Sequence, residues 1–226
     1  MIETGMYFDN IHSFYDLNLI LSGLEIPPAK PKTSYIDVLG ADGSIDLTEA
    51  IGEVKYYDRD CKFIFTMNPS GDLSESAWEE KKTEVSNLLA GKAFKITLDK
   101  DDDFYYKGRC TVDEFLSDKR IRQIVVTAKV NPYKYKQTET YITYELNSTA
   151  RTIIINNARK TVSPIIECTN DNTTVKFGDT TYFLNAGRHL PTMETTLLDI
   201  RFTMGSNQLE ISGTGKITFI FQEGEL

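Results

Sequence analysis

The sequence predicts a mainly β protein with one helix, divided into two domains, and three observations support this prediction. Apolar and less apolar residues alternate over residues 63–67, which is the period of a strand with one buried face. A single helical pattern follows at residues 76–90. After residue 141, about eight short strand patterns recur within about 90 residues, separated by Gly, Asn, Asp or Pro, as in an antiparallel sandwich.

The composition is that of a globular chain with an acidic surface. Apolar residues make up 40% and charged residues 26% of the 226 residues, which is near the average for folded domains. The 25 Lys and Arg residues and 33 Asp and Glu residues give a formal net charge of −8, without any basic cluster. Such a surface repels polyanions, which argues against tight binding of nucleic acid or anionic lipid. A conduit that lets DNA pass without specific binding remains compatible.

The chain shows no targeting pattern. Its first five residues lack the positive start and apolar run of a signal peptide, and no stretch approaches the roughly 20 apolar residues of a membrane span. We therefore expect synthesis in the cytoplasm and no membrane partner. Cys61, Cys110 and Cys168 are an odd number at wide spacing, which favours reduced core residues over a disulfide framework or a metal site.

The first half is predicted to consist of strands around the single helix. Ser76 and Glu79 form a capping-box pattern at the start of that helix, and Gly91 is its expected stop. One apolar stripe of the helix is formed by Trp78, Val85, Leu88 and Leu89. Further strands are predicted at residues 94–98, 104–110 and 123–130.

A proline-led segment precedes these elements and is predicted to form an arm at about residues 27–50. Residues 27–31 hold three prolines, which do not fit inside a sheet and favour an extended chain. The sequence Gly-Ala-Asp-Gly-Ser at residues 40–44 is a strong turn signal between strand patterns at residues 35–39 and 45–47. The residues singled out on this hairpin are Gly40, Asp42, Gly43, Asp46 and Leu47.

Asn131 and Pro132 mark the predicted domain boundary, which gives domains of residues 1–131 and 132–226. A polar stretch at residues 134–140 follows a completed strand pattern there, and no helical pattern occurs after it. The strands predicted in the second domain are residues 141–146, 151–155, 165–168, 173–177, 180–184, 195–201, 208–212 and 216–221.

No residue pattern indicates catalysis, a cofactor or a metal site. The acidic run at residues 99–103 begins like a calcium loop, but Phe104 and Cys110 stand where such a loop needs Gly and Glu. A solvated turn is therefore predicted. His12 and His189 fall in different predicted domains, and no Gly-x-Ser-x-Gly motif occurs. A cell-wall hydrolase is consequently the least favoured function.

Carbohydrate binding stays open as the alternative function, because sandwiches can present aromatic platforms to sugars. Aromatic residues in strands are more commonly core or interface residues, which weighs against it. The aromatic side chains available in the second half are Tyr133, Tyr135, Tyr141, Tyr144 and Tyr182.

Several segments, in order along the chain, resemble the distal tail proteins of long-tailed, non-contractile phages and prophages. They are residues 7–13 (Tyr-Phe-Asp-Asn-Ile-His-Ser), 40–48 (Gly-Ala-Asp-Gly-Ser-Ile-Asp-Leu-Thr), 98–109 (an acidic turn, then Tyr-Tyr-Lys-Gly-Arg), 131–134 (Asn-Pro-Tyr-Lys) and 221–226 (Phe-Gln-Glu-Gly-Glu-Leu). The resemblance spans nearly the whole chain and is densest over residues 1–135. It departs from the family at Ala41, where members often carry Arg.

The resemblance implies a structural protein of the virion tail tip, without enzymatic activity or cofactor. Residues 1–131 would form a tail-tube-like β domain that builds a hexameric ring, and residues 132–226 a galectin-like antiparallel β-sandwich. The ring would connect the tail tube protein to the tail tip or baseplate and anchor tail-associated and receptor-binding proteins for host attachment. DNA would pass through its lumen without specific binding. A proline-led arm suits the contacts of a closed ring, in which one surface meets a different surface on the neighbour.

The second domain is expected to dock proteins rather than sugars. Residues 185–189 (Asn-Ala-Gly-Arg-His) do not reproduce the galectin signature His-x-Asn-x-Arg. A galectin-like fold without that signature does not by itself indicate lectin activity.

Overall fold

The computed structural model describes residues 5–50, 52–118, 121–192 and 194–226. Strands dominate it, and α1 (Glu75–Leu89) is the one α-helix of these residues, which confirms the predicted mainly β class with one helix. The chain divides into two units, Met1–Lys134 and Tyr135–Leu226. No helix in the described ranges is long and apolar enough to cross a membrane.

Unit 1 holds a sheet with the strand order β2-β1-β7-β8-β9-β6-β3, and β4 and β5 form a separate two-stranded hairpin. The strands are β1 (Met6–Phe8), β2 (Ile11–His12), β3 (Leu19–Glu25), β4 (Tyr35–Asp37), β5 (Ser44–Asp46), β6 (Arg59–Met67), β7 (Ala93–Leu98), β8 (Asp101–Ser117) and β9 (Arg122–Lys136). The predicted boundary at Asn131 and Pro132 lies inside β9, which runs through it without a break.

The core of unit 1 lies between one face of this sheet and α1. On β6, Phe63, Phe65 and Met67 are buried while the residues between them are partly exposed, which confirms the alternation read from the sequence. Trp78 and Val85 of α1 belong to the same buried cluster. The helix thus covers the apolar face that the strands leave open.

The N-cap of the helix lies two residues before the predicted one. Ser74, not Ser76, is the N-cap, and its hydroxyl oxygen accepts a hydrogen bond from the Ala77 amide at 3.2 Å. Asp72 explains the difference, because its carboxylate accepts from the Ser74 amide at 2.7 Å and fixes the chain in the extended conformation before the helix. Gly91 follows the helix with a φ of 73°, so it stands where a left-handed residue ends the helix.

Unit 2 contains two four-stranded antiparallel sheets, with the orders β10-β17-β12-β15 and β11-β16-β13-β14. The strands of the unit are β10 (Thr140–Asn147), β11 (Arg151–Asn157), β12 (Ile165–Cys168), β13 (Thr173–Phe177), β14 (Thr180–Leu184), β15 (Gly187–His189), β16 (Gly205–Ser212), β17 (Thr214–Phe221) and β18 (Gly224–Glu225). Ile166 and Phe219 of the first sheet and Ile155 and Ile211 of the second share one buried cluster, as in a sandwich.

One predicted strand of unit 2 is wrong. Residues 195–201 contain a short 3-10 turn, Leu197–Asp199, instead of a strand. Thr196 has a φ of 55°, which breaks an extended chain, and Leu197 and Ile200 are both buried at a spacing of three rather than two. The sequence reasoning also missed β1, β2, β3 and β15, all of which are short or mixed in pattern.

The three cysteines are free and buried, as predicted. Cys61 and Cys110 belong to the core of unit 1, and Cys168 belongs to that of unit 2.

Candidate assembly arm

The hairpin of β4 and β5 projects its residues into solvent on both faces. Tyr35 pairs with Asp46, Ile36 with Ile45 and Asp37 with Ser44. Every residue from 31 to 47 is exposed, although a two-stranded hairpin that buries nothing is marginally stable in water. The predicted hairpin is therefore present, and we refer to residues 31–50 as the arm.

The arm has an apolar face and an acidic face. Because side chains alternate along a strand, Ile36 and Ile45 lie on one face, with Val38 and Leu47 following at the same period. Tyr35, Asp37, Ser44 and Asp46 lie on the other face. All four aliphatic side chains of the first face are exposed. Such a cluster of large apolar side chains on a surface indicates an interaction site.

The turn of the arm is built on two glycines. Gly40 and Gly43 have φ values of 82° and 77°, which other residues rarely adopt. The Ala41 amide donates to the Val38 carbonyl at 3.1 Å and closes the turn. Leu39 stands fully exposed within it.

Short hydrogen bonds order the acidic residues of the arm. The Ser44 hydroxyl donates to Asp37 at 2.5 Å, and the Thr48 amide donates to Asp46 at 2.9 Å. Hydrogen bonds from the Thr48 hydroxyl and amide hold the pKa of Asp46 below its ordinary value. Residues 31–50 contain three Asp, one Glu and one Lys, so the arm carries a net negative charge.

A two-stranded ribbon joins the arm to the sheet. The Lys32 amide donates to the Lys55 carbonyl at 2.7 Å, and the Tyr57 amide donates to the Lys30 carbonyl at 2.9 Å. The Lys32 ammonium lies 5.3 Å from the centre of the Tyr57 ring. Pro31 and Tyr56 form an isolated antiparallel β-bridge between these two hydrogen bonds. The arm is therefore held at its base while its distal part stays open to solvent.

The five predicted arm residues all lie on the hairpin. Gly40, Asp42 and Gly43 form the turn, Asp46 ends β5, and Leu47 follows it. The sequence reasoning missed Ile36, Val38 and Ile45, which make up most of the apolar face. Their alternation with polar residues indicates one apolar face of the hairpin. It does not show that other parts of the chain leave both faces of the hairpin exposed to solvent.

The acidic run at residues 99–103 is tied into unit 1 rather than arranged around an ion. Asp99 accepts hydrogen bonds from the Gly5 amide at 2.8 Å and from His12 Nε2 at 3.1 Å. Asp101 pairs with Lys134 at 3.0 Å. No group of three or more His, Cys, Asp or Glu side chains suited to a metal occurs among the residues that the structure describes.

Three of the five tyrosines considered for sugar binding are buried or packed against another aromatic ring. Tyr182 is buried, and Tyr144 packs edge-on against Phe219 with ring centres 6.5 Å apart. Tyr133 packs against Tyr56 in a similar way. Only the outward-facing Tyr141 is strongly exposed among Tyr141, Tyr144 and Tyr182. Tyr141, Tyr144 and Tyr182 therefore form no common aromatic platform.

Comparison with known proteins identifies a shared fold. No protein-family model and no curated protein matches the chain. Among solved structures, the chain is similar to the crystal structure of the Dit (gp 19.1) protein of phage SPP1, described as a paradigm of the hub adsorption apparatus in phages that infect Gram-positive bacteria. The TM-score is 0.71 at 14% sequence identity, over 97% of this chain and 98% of that chain.

Proposed function

We propose that this chain is a phage distal tail protein, a structural component of the virion tail tip without enzymatic activity. The observation that carries the proposal is the fold shared with the SPP1 hub protein over 97% of the chain, which includes both units. The resemblance of several ordered sequence segments to distal tail proteins supports the same assignment.

The arm supports assembly into a closed ring of six copies. Its apolar face, with Ile36, Ile45 and Leu47, has nothing to cover it within the described residues of the protomer. Burying such side chains against a neighbour stabilises by about 1.5–3 kcal/mol for each one that becomes fully buried. A projecting arm meets a different surface on its neighbour, and repetition of that contact by rotation closes a ring.

In this proposal unit 1 forms the ring and unit 2 is the galectin-like sandwich that docks other tail proteins. The ring connects the tail tube protein to the tail tip or baseplate and anchors tail-associated and receptor-binding proteins. DNA passes through the lumen, and the net charge of −8 reduces its attraction to the protein.

Light scattering on the purified protein over a range of concentrations tests the assembly. We expect a monodisperse hexamer, or a double ring of twelve copies. A protein that stays monomeric, both alone and mixed with the tail tube protein, would count against the ring.

Ile45→Asp tests the role of the arm directly. It places a charge in the apolar face, and we expect it to shift the protein to monomers because an unpaired charge is costly to bury. Ile154→Asp is the matched control, since Ile154 is an isoleucine of similar exposure, 59% against 53% for Ile45, on a strand of unit 2. If both variants form rings like the parent protein, the arm is not the contact.

A further inference from the structure

The turn of the arm holds the single Asp-Gly step of the chain, at Asp42 and Gly43, and no Asn-Gly step occurs in the sequence. In such a step the main-chain nitrogen of the glycine can approach the carboxyl group before it, because glycine has no Cβ to obstruct the approach. We propose that this step is a self-modification site, at which Asp42 converts to isoaspartate without an enzyme.

The conversion has two steps and needs only water. In the first, the Gly43 nitrogen attacks Cγ of Asp42, a C–N bond forms, and the amide proton leaves with a carboxyl oxygen in one water molecule. The product is a five-membered cyclic imide. In the second step, water adds to one of the two imide carbonyl carbons. Addition at Cγ restores aspartate, whereas addition at the main-chain carbonyl breaks the original peptide bond and leaves the chain running through Cβ and Cγ.

Both reacting groups are exposed and free of hydrogen bonds. Asp42 and Gly43 lie in the exposed turn at the distal end of the arm. Within the described residues, no hydrogen bond engages the Asp42 carboxylate or the Gly43 amide. No atom lies within 4 Å of the position that a Cβ of Gly43 would take. The nitrogen and the carboxyl carbon can therefore approach each other without displacing a neighbour.

Hydrogen bonds hold the other two aspartate steps of the arm in place. Asp37 accepts a hydrogen bond from the Ser44 hydroxyl at 2.5 Å. After Asp46, the Leu47 amide donates to the Ser34 carbonyl at 2.8 Å. Imide formation at either residue would first have to break one of these bonds. The structure therefore protects Asp37 and Asp46 but leaves Asp42 open to reaction.

Two asparagines that precede small residues in unit 2 are protected in the same way. The Ser148 amide, which follows Asn147, donates to a main-chain carbonyl at 2.6 Å. The Ala186 amide, which follows Asn185, donates to the Asp171 carboxylate at 2.8 Å. In both cases the nitrogen that would attack is already engaged, so the fold directs the reaction to the arm.

Isoaspartate at residue 42 adds one carbon atom to the main chain of the turn. The register of a hairpin depends on its turn type and loop length, and the register here places Ile36 opposite Ile45. Because a two-stranded hairpin is marginally stable, we expect the modified arm to lose this pairing and its ordered apolar face. Modified copies should then join the ring poorly, a consequence that rests on the proposed assembly function.

Peptide mapping of the full-length protein tests the proposal. The protein is incubated at neutral pH for several weeks and digested with trypsin. The peptides are then treated with an isoaspartyl methyltransferase and a radiolabelled methyl donor, which label isoaspartate but not aspartate. We expect label to appear first in the peptide of residues 33–55, at residue 42. Asp37 and Asp46 lie in the same peptide and should stay unlabelled.

Two matched variants locate the reaction. Asp42→Glu keeps the negative charge but would have to close a six-membered ring, so labelling of the arm peptide should fall to background. Asp37→Glu makes the same change on the same arm and should leave labelling as in the parent protein. No label in the arm peptide, label that appears first at another residue, or label that persists in Asp42→Glu would overturn the proposal.

Incubation in urea tests whether the structure selects the site. Unfolding removes the hydrogen bonds of the amides that follow Asn147 and Asn185, so isoaspartate should then form at these residues as well. Equal labelling of both asparagines in folded and unfolded protein would show that the fold gives no protection, against the proposal.

Light scattering with analysis of each fraction tests the consequence for assembly. We expect isoaspartate to be enriched in monomers relative to hexamers. An equal content in both fractions refutes the effect on assembly and leaves the modification site standing. A protein that forms no ring refutes the assembly function, while the labelling at residue 42 still decides the chemical proposal.

Discussion

At the scale of single residues, His12 shows how geometry fixes a protonation site. The amides of Phe14 and Tyr15 each donate to its Nδ1 at 3.1 Å, so this nitrogen carries no proton. The proton therefore lies on Nε2, which donates to the Asp99 carboxylate. The Asp99 carboxylate also accepts a hydrogen bond from the Gly5 amide. The side chain of Asp99 therefore joins the N-terminal segment to the turn between β7 and β8.

Asp99→Ala should lower the free energy of unfolding by about 1–3 kcal/mol, because it leaves His12 Nε2 without its acceptor in a buried site. Asp102→Ala is the control, since Asp102 is an exposed residue of the same acidic run, and it should change stability by no more than about 0.5 kcal/mol. Urea unfolding measures both. Equal effects would show that the run acts only through its charge.

The buried cysteines predict a loss of stability at alkaline pH. Burial raises the pKa of Cys61 to about 11 and that of Cys110 to about 12, from an ordinary value of 9.0. Above pH 9 the unfolded chain releases these protons while the folded protein keeps them, so the free energy of unfolding falls as pH rises. Urea unfolding between pH 8 and about pH 10.5 measures the slope. Cys110→Ala should make it shallower, and an unchanged slope would assign it to other groups.

At the scale of elements, the start of α1 provides a direct test of the corrected cap. Ser74→Ala removes the acceptor for the Ala77 amide and should lower the free energy of unfolding by about 1 kcal/mol. Ser76→Ala, at the position that the sequence pattern favoured, should have a much smaller effect. Thermal unfolding of the two variants distinguishes them, and a larger loss at Ser76 would restore the sequence-based cap.

Sequence patterns predicted elements where local chemistry decides the structure, and failed where distant contacts do. The alternation around Phe63 and Phe65 and the turn at Gly40 and Gly43 are local, and both were predicted. Residues 195–201 have strand-like composition but form a turn, because Leu197 and Ile200 are both drawn into the core. The order of the sheet β11-β16-β13-β14 could not be predicted, since two of its three neighbouring pairs join strands that are not consecutive in sequence.

At the scale of the whole molecule, each unit has its own core. Phe219 is fully buried in the cluster of unit 2, to which none of the described residues of unit 1 contributes. Phe219→Ala should therefore cost about 3–5 kcal/mol and reduce amide-exchange protection first in the strands of unit 2. Hydrogen exchange resolved along the chain measures this, and an equal loss of protection in β6 would show that the two cores unfold together.

The order of the sheet in unit 1 has a consequence for solubility. Its outer strands are β2, which has two residues, and β3, which has seven and is followed by Ile26 and then by Pro27 and Pro28. A strand of two residues offers little length for pairing, and the register of β3 shifts between Leu21 and Gly23, which interrupts its edge. Neither border is therefore a good template for fibre growth. The margins of this sheet are thus poorly suited to joining copies of the chain, which leaves other surfaces for any contact between them.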